Sequence, residues 1–150
     1  MLTKWGGLPA SLPTKMRKEG GNMQEKKQLI TKNAPSPAGP YSQGIDAGQF
    51  VFVAGQRPVN AATGEMAQGI KDQTRQVLKN IESVLKEAGC GLEDIVRTTV
   101  YLSDIGHFAE MNEVYSEMVP APYPARTTFG CQLRGILVEI DAIALKPNKD

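Results

Sequence analysis

The stretch Val138-Glu139-Ile140-Asp141-Ala142-Ile143-Ala144 alternates with the two-residue period of a strand. Val138, Ile140, Ala142 and Ala144 form one side, aliphatic throughout and suited to lie under helices. The other side sets Leu137, Ile143 and Leu145 beside Glu139 and Asp141. Large apolar groups among carboxylates are costly to leave in water and awkward to bury alone, so this second face predicts a covering subunit.

Working back along the chain, Lys27 to Thr31 reads as a short strand, followed by a loop in which Pro35, Pro37 and Pro40 forbid regular pairing. Tyr41 to Ile45 resumes an extended path, and Asp46-Ala47-Gly48 turns it into the β-branched and aromatic run of Gln49 to Gln56. After the turn-rich segment from Arg57 to Glu65, Ile70, Val77, Leu78, Ile81, Val84, Leu85 and Ala88 recur at helical spacing over Gly69 to Ala88, with Gly89 as a left-handed stop. Ile95 to Leu102 predicts a strand with Val96, Thr98, Val100 and Leu102 on one side. Ser103-Asp104 caps a second helix, His107 to Met118, whose stripe of Phe108, Met111, Tyr115 and Met118 points to the core. Ala125 to Cys131 and Leu137 to Lys146 close the domain as strands. Strands this close together with only two helices predict an α+β fold, a mixed sheet with both helices on one face.

At 150 residues the chain suits a single domain, placed at 23–150. With 17 basic and 16 acidic residues there is no general pull toward nucleic acid, and no apolar run is long enough to span a bilayer. Cys90 and Cys131 lack the spacing of a disulfide framework or zinc site and are expected as small core residues of a cytoplasmic protein. Residues 1–22, rich in Gly, Pro and basic side chains, predict a disordered extension, with a weak transit peptide as an alternative. Lys18-Glu19-Gly20-Gly21 is also what a purine-rich ribosome-binding stretch encodes in frame, which makes Met23 the expected natural start.

The chemistry-bearing residues are few. Arg126 follows the turn Tyr123-Pro124 and offers a permanently charged fork suited to a carboxylate. Taken alone, it could equally be a structural partner of Glu139 or Asp141. Glu139 in turn could pair with Arg97 on a neighbouring strand, and Asp141 reads as structural. His107, the sole histidine, is expected at the surface.

Asn33-Ala34-Pro35, Gly39-Pro40-Tyr41-Ser42-Gln43, Ala54-Gly55-Gln56, Asn112, Tyr123-Pro124-Ala125-Arg126 and Val138-Glu139-Ile140-Asp141-Ala142 together resemble the YjgF/RidA family, in order, from about Lys27 to Lys146. The resemblance implies a chorismate-mutase-like domain assembled as a homotrimer with a barrel-like core and clefts between subunits. It further implies hydrolysis of reactive enamines and imines, such as 2-aminoacrylate, 2-iminopropanoate and 2-iminobutanoate, to 2-keto acids and ammonia. On that basis Arg126, Glu139 and Tyr41 are the expected catalytic residues. Arg126 would grip the carboxylate, Glu139 would shuttle a proton, and Tyr41 would wall the pocket. Gly55 would let backbone amides approach, and Asn112 and Thr128 would complete the binding set. No metal or organic cofactor is expected, because an imine is already electrophilic. Three positions depart from the family's habit: Ala54 stands where serine is frequent, Thr128 where cysteine is, and Leu133-Arg134-Gly135 where a Leu-Pro pair is common. A binding module for small carboxylates such as 2-keto acids, without turnover, is the competing expectation. Ribonuclease action, attached to some family members, is disfavoured by the near-neutral charge and the lack of a second histidine.

Overall fold

The computed structural model describes residues 25–149; the expectations for residues 1–22 and Met23 lie outside them. The strands are β1 (Lys27–Leu29), β2 (Gly44–Asp46), β3 (Phe50–Gln56), β4 (Ile95–Leu102), β5 (Ala125–Gly130) and β6 (Val138–Leu145), with helices α1 (Gly69–Lys86) and α2 (Phe108–Met118). They form one sheet of six strands in the order β1-β2-β3-β6-β4-β5, as the α+β pattern anticipates. Only β4 and β5 run parallel, joined through α2. The last strand, β6, inserts between β3 and β4 and pairs antiparallel with both.

That central position explains why one side of β6 is so apolar. Val138, Ile140 and Ala144 are fully buried beneath α1, together with Val51 of β3 and Val100 of β4. From α1, Val77, Leu78, Ile81, Val84 and Leu85 reach down as the helical period requires. Gly89, at φ 73°, ends the helix in the left-handed region and lets the Cys90 amide bond back to the Leu85 carbonyl at 3.0 Å. Helix α2 packs beside α1, so both helices cover the same face. Among the described residues no helix is long and apolar enough to cross a membrane.

Two local expectations change. A bulge between Ile95 and Arg97 shifts the register of β4, so Ile95 enters the core while Val96 is displaced and 39% exposed. Phe108 also leaves the predicted core stripe: it is 43% exposed, whereas Met111, Val114 and Tyr115 carry the buried side of α2. A short 3-10 turn at Ile105–His107 precedes the helix, capped by Asp104 accepting from the Gly106 amide, and leaves Phe108 at the helix start. His107 is half-buried rather than on the surface.

The uncovered face carries Phe50, Phe52, Phe129 and Leu145, each about 40% exposed, around Tyr101 and Ile143. Burying each large side chain of this kind is worth roughly 1.5–3 kcal/mol. One carboxylate among them, Asp141, is paired internally. Asp141 accepts from the Tyr101 hydroxyl at 2.8 Å and the Thr99 amide at 3.2 Å, the structural role expected for it. Burial, then Asp141, pushes the Tyr101 hydroxyl up to about 12.

Gly44 sets the distance between sheet and helix, since a Cβ there would stand 2.6 Å from Val84 Cγ1 and 3.1 Å from the Phe52 carbonyl oxygen. Gly44→Ala therefore forces α1 away from β2. The expected loss is about 1–3 kcal/mol, read as a lower urea midpoint with the denaturant slope unchanged.

Candidate functional site

Arg126 leaves β5 opposite Thr98, on the helix-covered face. Its guanidinium carbon lies 4.7 Å from the centroid of the Tyr115 ring and 5.6 Å from that of Phe108. Among the described residues it forms no salt bridge. The structural alternative, a pair with Asp141 or Glu139, does not form. Arg126 borders an open cleft of about 440 Å³ shared with Asn112, Tyr115, Ser116, Tyr123 and Pro124. Asn112 Oδ1 and Thr128 Oγ1 are buried without hydrogen-bond partners. A buried unpaired acceptor costs about 1–3 kcal/mol, and Asn112, which carries one of the two, lines the same cleft as the Arg126 cation. Burial pushes the Tyr115 hydroxyl up, while Thr98 and Arg126 draw it back.

Tyr41 and Gly55 belong to a second cleft, of about 120 Å³, which Gln43, Gln56 and Arg57 also line. The prolines of the preceding loop remove backbone donors, and the buried Gln43 amide compensates. It donates to the carbonyls of Thr31, Ala34 and Pro35 at 2.9–3.1 Å and accepts from the Thr31 amide at 2.8 Å. Thus fastened, the loop presents Tyr41, whose hydroxyl accepts the Ala38 amide at 3.0 Å while its ring stays half exposed. Asn80 of α1 holds the far wall by donating to the carbonyls of Arg57 and Val59 at 2.8 and 3.0 Å.

Glu139 of β6 packs against Gly55, a wall residue of this second cleft. A Cβ on Gly55 would stand 3.0 Å from Glu139 Cδ and 3.1 Å from Oε2, so glycine is what leaves room for the carboxylate. Burial raises the Glu139 carboxyl above its ordinary range; Arg57 draws it down and Asp141 pushes it up. Arg97 is not its partner. The bulged register sets Arg97 opposite Ile143, and its guanidinium donates to Thr127 Oγ1 at 2.7 Å.

The expected residues therefore fall into two groups. Arg126 and Thr128 of β5 lie on the helix side with Asn112 of α2; Gly55 of β3 and Glu139 of β6 lie together elsewhere, with Tyr41 on the loop before β2. Strand β4 stands between β6 and β5, so a single protomer does not bring Arg126 and Glu139 to one ligand. Sequence inspection missed Arg57, which follows directly on the Ala54-Gly55-Gln56 motif, and the rings of Phe108 and Tyr115, whose helical spacing reads equally well as core. Among the described residues no cluster of three or more His, Cys, Asp or Glu side chains is arranged to hold a metal.

The pattern of the family described as Endoribonuclease L-PSP matches residues 31–146. A RutC family protein of Pyrococcus horikoshii is 51% identical over 124 residues, 81% of this chain and 98% of that protein. The Salmonella typhimurium protein named 2-iminobutanoate/2-iminopropanoate deaminase is 38% identical, over 80% of this chain and 98% of its own. The crystal structure of Escherichia coli TdcF with bound serine is similar at a TM-score of 0.75 and 37% identity, covering 81% of this chain and 99% of that one. With the Arg126 and Gly55 motifs in their expected order and the matching fold beneath them, the chain belongs to the endoribonuclease L-PSP family, the YjgF/RidA family, some of whose members are named as reactive-intermediate deaminases.

Proposed function

We propose that the protein hydrolyses short 2-imino acids and their enamine tautomers to 2-keto acids and ammonia, in clefts completed by a neighbouring subunit. The observation that carries this reading is the division of the polar groups: on one side Arg126, without an acid among the described residues, with unpaired Asn112 and Thr128; on the other a raised carboxyl at Glu139 against Gly55, which lines a cleft with Tyr41. Each half lacks what the other holds. A homotrimer that buries the exposed Phe50, Phe52, Phe129 and Leu145 in a barrel-like core would bring the halves of adjacent subunits together. The named activity of the Salmonella typhimurium relative supports the same chemistry.

In this site Arg126 holds the substrate carboxylate through two parallel hydrogen bonds, and Asn112 and Thr128 orient the imine. Glu139 accepts a proton from water as the oxygen adds to C2. The same proton passes to the nitrogen and gives a carbinolamine; Glu139 then carries the proton of its hydroxyl to the amine as the C–N bond breaks, the carbonyl forms and ammonia leaves the 2-keto acid. A carboxyl raised by burial is the better base for this step. Tyr41 closes the cleft with its exposed ring.

Coupling the protein to a pyridoxal-phosphate-dependent serine or threonine dehydratase and following 2-keto acid release tests the reaction. Wild type is expected to accelerate release and Arg126→Ala to abolish the acceleration. Arg126→Lys, which keeps the charge and loses the fork, is expected to raise KM roughly 10-fold or more. Pyruvate binding without acceleration would instead identify a carboxylate-binding module.

Glu139→Gln is expected to lower kcat at least about 100-fold with little change in KM. Because ionised Glu139 is the active form and its carboxyl is raised, wild-type activity falls with acid along a limb centred above the ordinary carboxylate range. A limb at the position of a free glutamate contradicts this role. The shared site has its own test in mixed oligomers. Co-refolding Arg126→Ala with Glu139→Gln chains regenerates some intact clefts, so activity returns; hetero-oligomers that stay inactive exclude a composite site.

A further inference from the structure

The Arg126 guanidinium lies within cation–π reach of two rings, and those rings are held differently. Tyr115 is 4% exposed, and its hydroxyl shares a 2.8 Å hydrogen bond with Thr98 Oγ1. Thr98 is fully buried and is the cross-strand neighbour of Arg126 on β4. The ring beneath the guanidinium is thus tied to the strand that pairs with the arginine's own. Phe108 completes the arrangement from the first turn of α2, at the cost of leaving a phenyl ring 43% exposed. An arginine has rotamer entropy to lose on binding, and no acid among the described residues holds this one in place.

We infer that Phe108 and Tyr115, the latter fastened by Thr98, are positioning residues that hold the Arg126 fork ready for a substrate carboxylate. This rests on the carboxylate role proposed for Arg126. It explains why the helical stripe of α2 breaks at Phe108, whose ring serves the arginine and not the core.

The test uses the full chain as wild type, Phe108→Leu, Phe108→Tyr and Thr98→Val. Pyruvate affinity is measured by calorimetry, the Arg126 Nε–H resonance by NMR, and thermal unfolding alongside. Phe108→Leu is expected to weaken pyruvate about 2- to 5-fold, to raise KM by the same factor without changing kcat, to move the Nε–H resonance, and to leave the unfolding temperature unaltered. Phe108→Tyr, which restores a ring, is expected to match wild type. Thr98→Val frees the Tyr115 ring and is expected to broaden the Nε–H resonance. Equal pyruvate affinity in Phe108→Leu and Phe108→Tyr overturns the inference, as does an Nε–H resonance indifferent to the loss of the ring. Wild type that binds pyruvate without accelerating keto-acid release refutes the deaminase reading and leaves the Phe108 comparison decisive. Wild type that neither binds pyruvate nor accelerates release refutes both.

Discussion

Strand β6 closes the chain but sits in the middle of the sheet, paired on both sides, and every layer of the molecule is organised around its two faces. One face is sealed by α1, with Val138, Ile140 and Ala144 beneath Val77, Ile81 and Val84. The chain has no further helix among the described residues to seal the other, where Phe50, Phe52 and Leu145 remain open. Internal hydrogen bonds from Tyr101 and Thr99 satisfy Asp141 on that face and leave its apolar groups to seek cover.

The same strand divides the chemistry. Glu139 points to the open side of β6, and Arg126 to the helix side of β5, with β4 between them. Had the two charges met within one protomer, they would have neutralised each other as a structural pair. Kept apart, the carboxyl is raised by burial and the guanidinium, without an acid among the described residues, lies against two aromatic faces. Both states are expensive, and both become useful where a small acid and a water molecule must be held together.

Much of this arrangement was legible along the chain wherever a pattern is local. The period of α1, the turn at Gly89 and the alternation of β6 depend only on neighbouring residues, and the α+β order followed from them. The bulge at Val96 was not legible, because a register shift is decided by the partner strands. Its consequence, Arg97 facing Thr127 and not Glu139, was hidden for the same reason. Phe108 and Met111 both fit the apolar stripe of α2, and only the packing of Arg126 against one of them separates ring from core.

Residue order alone settles the short-range chemistry of this protein: which segments alternate, where Gly55 removes a side chain, and which motif carries Arg126. Those properties arise from bond geometry and side-chain type within a few residues. The tertiary structure alone places β6 between β3 and β4, sets Gly55 against Glu139, and puts Arg126 on the opposite face from that acid. These relations join residues far apart in the chain, and they depend on which surfaces the whole sheet can bury.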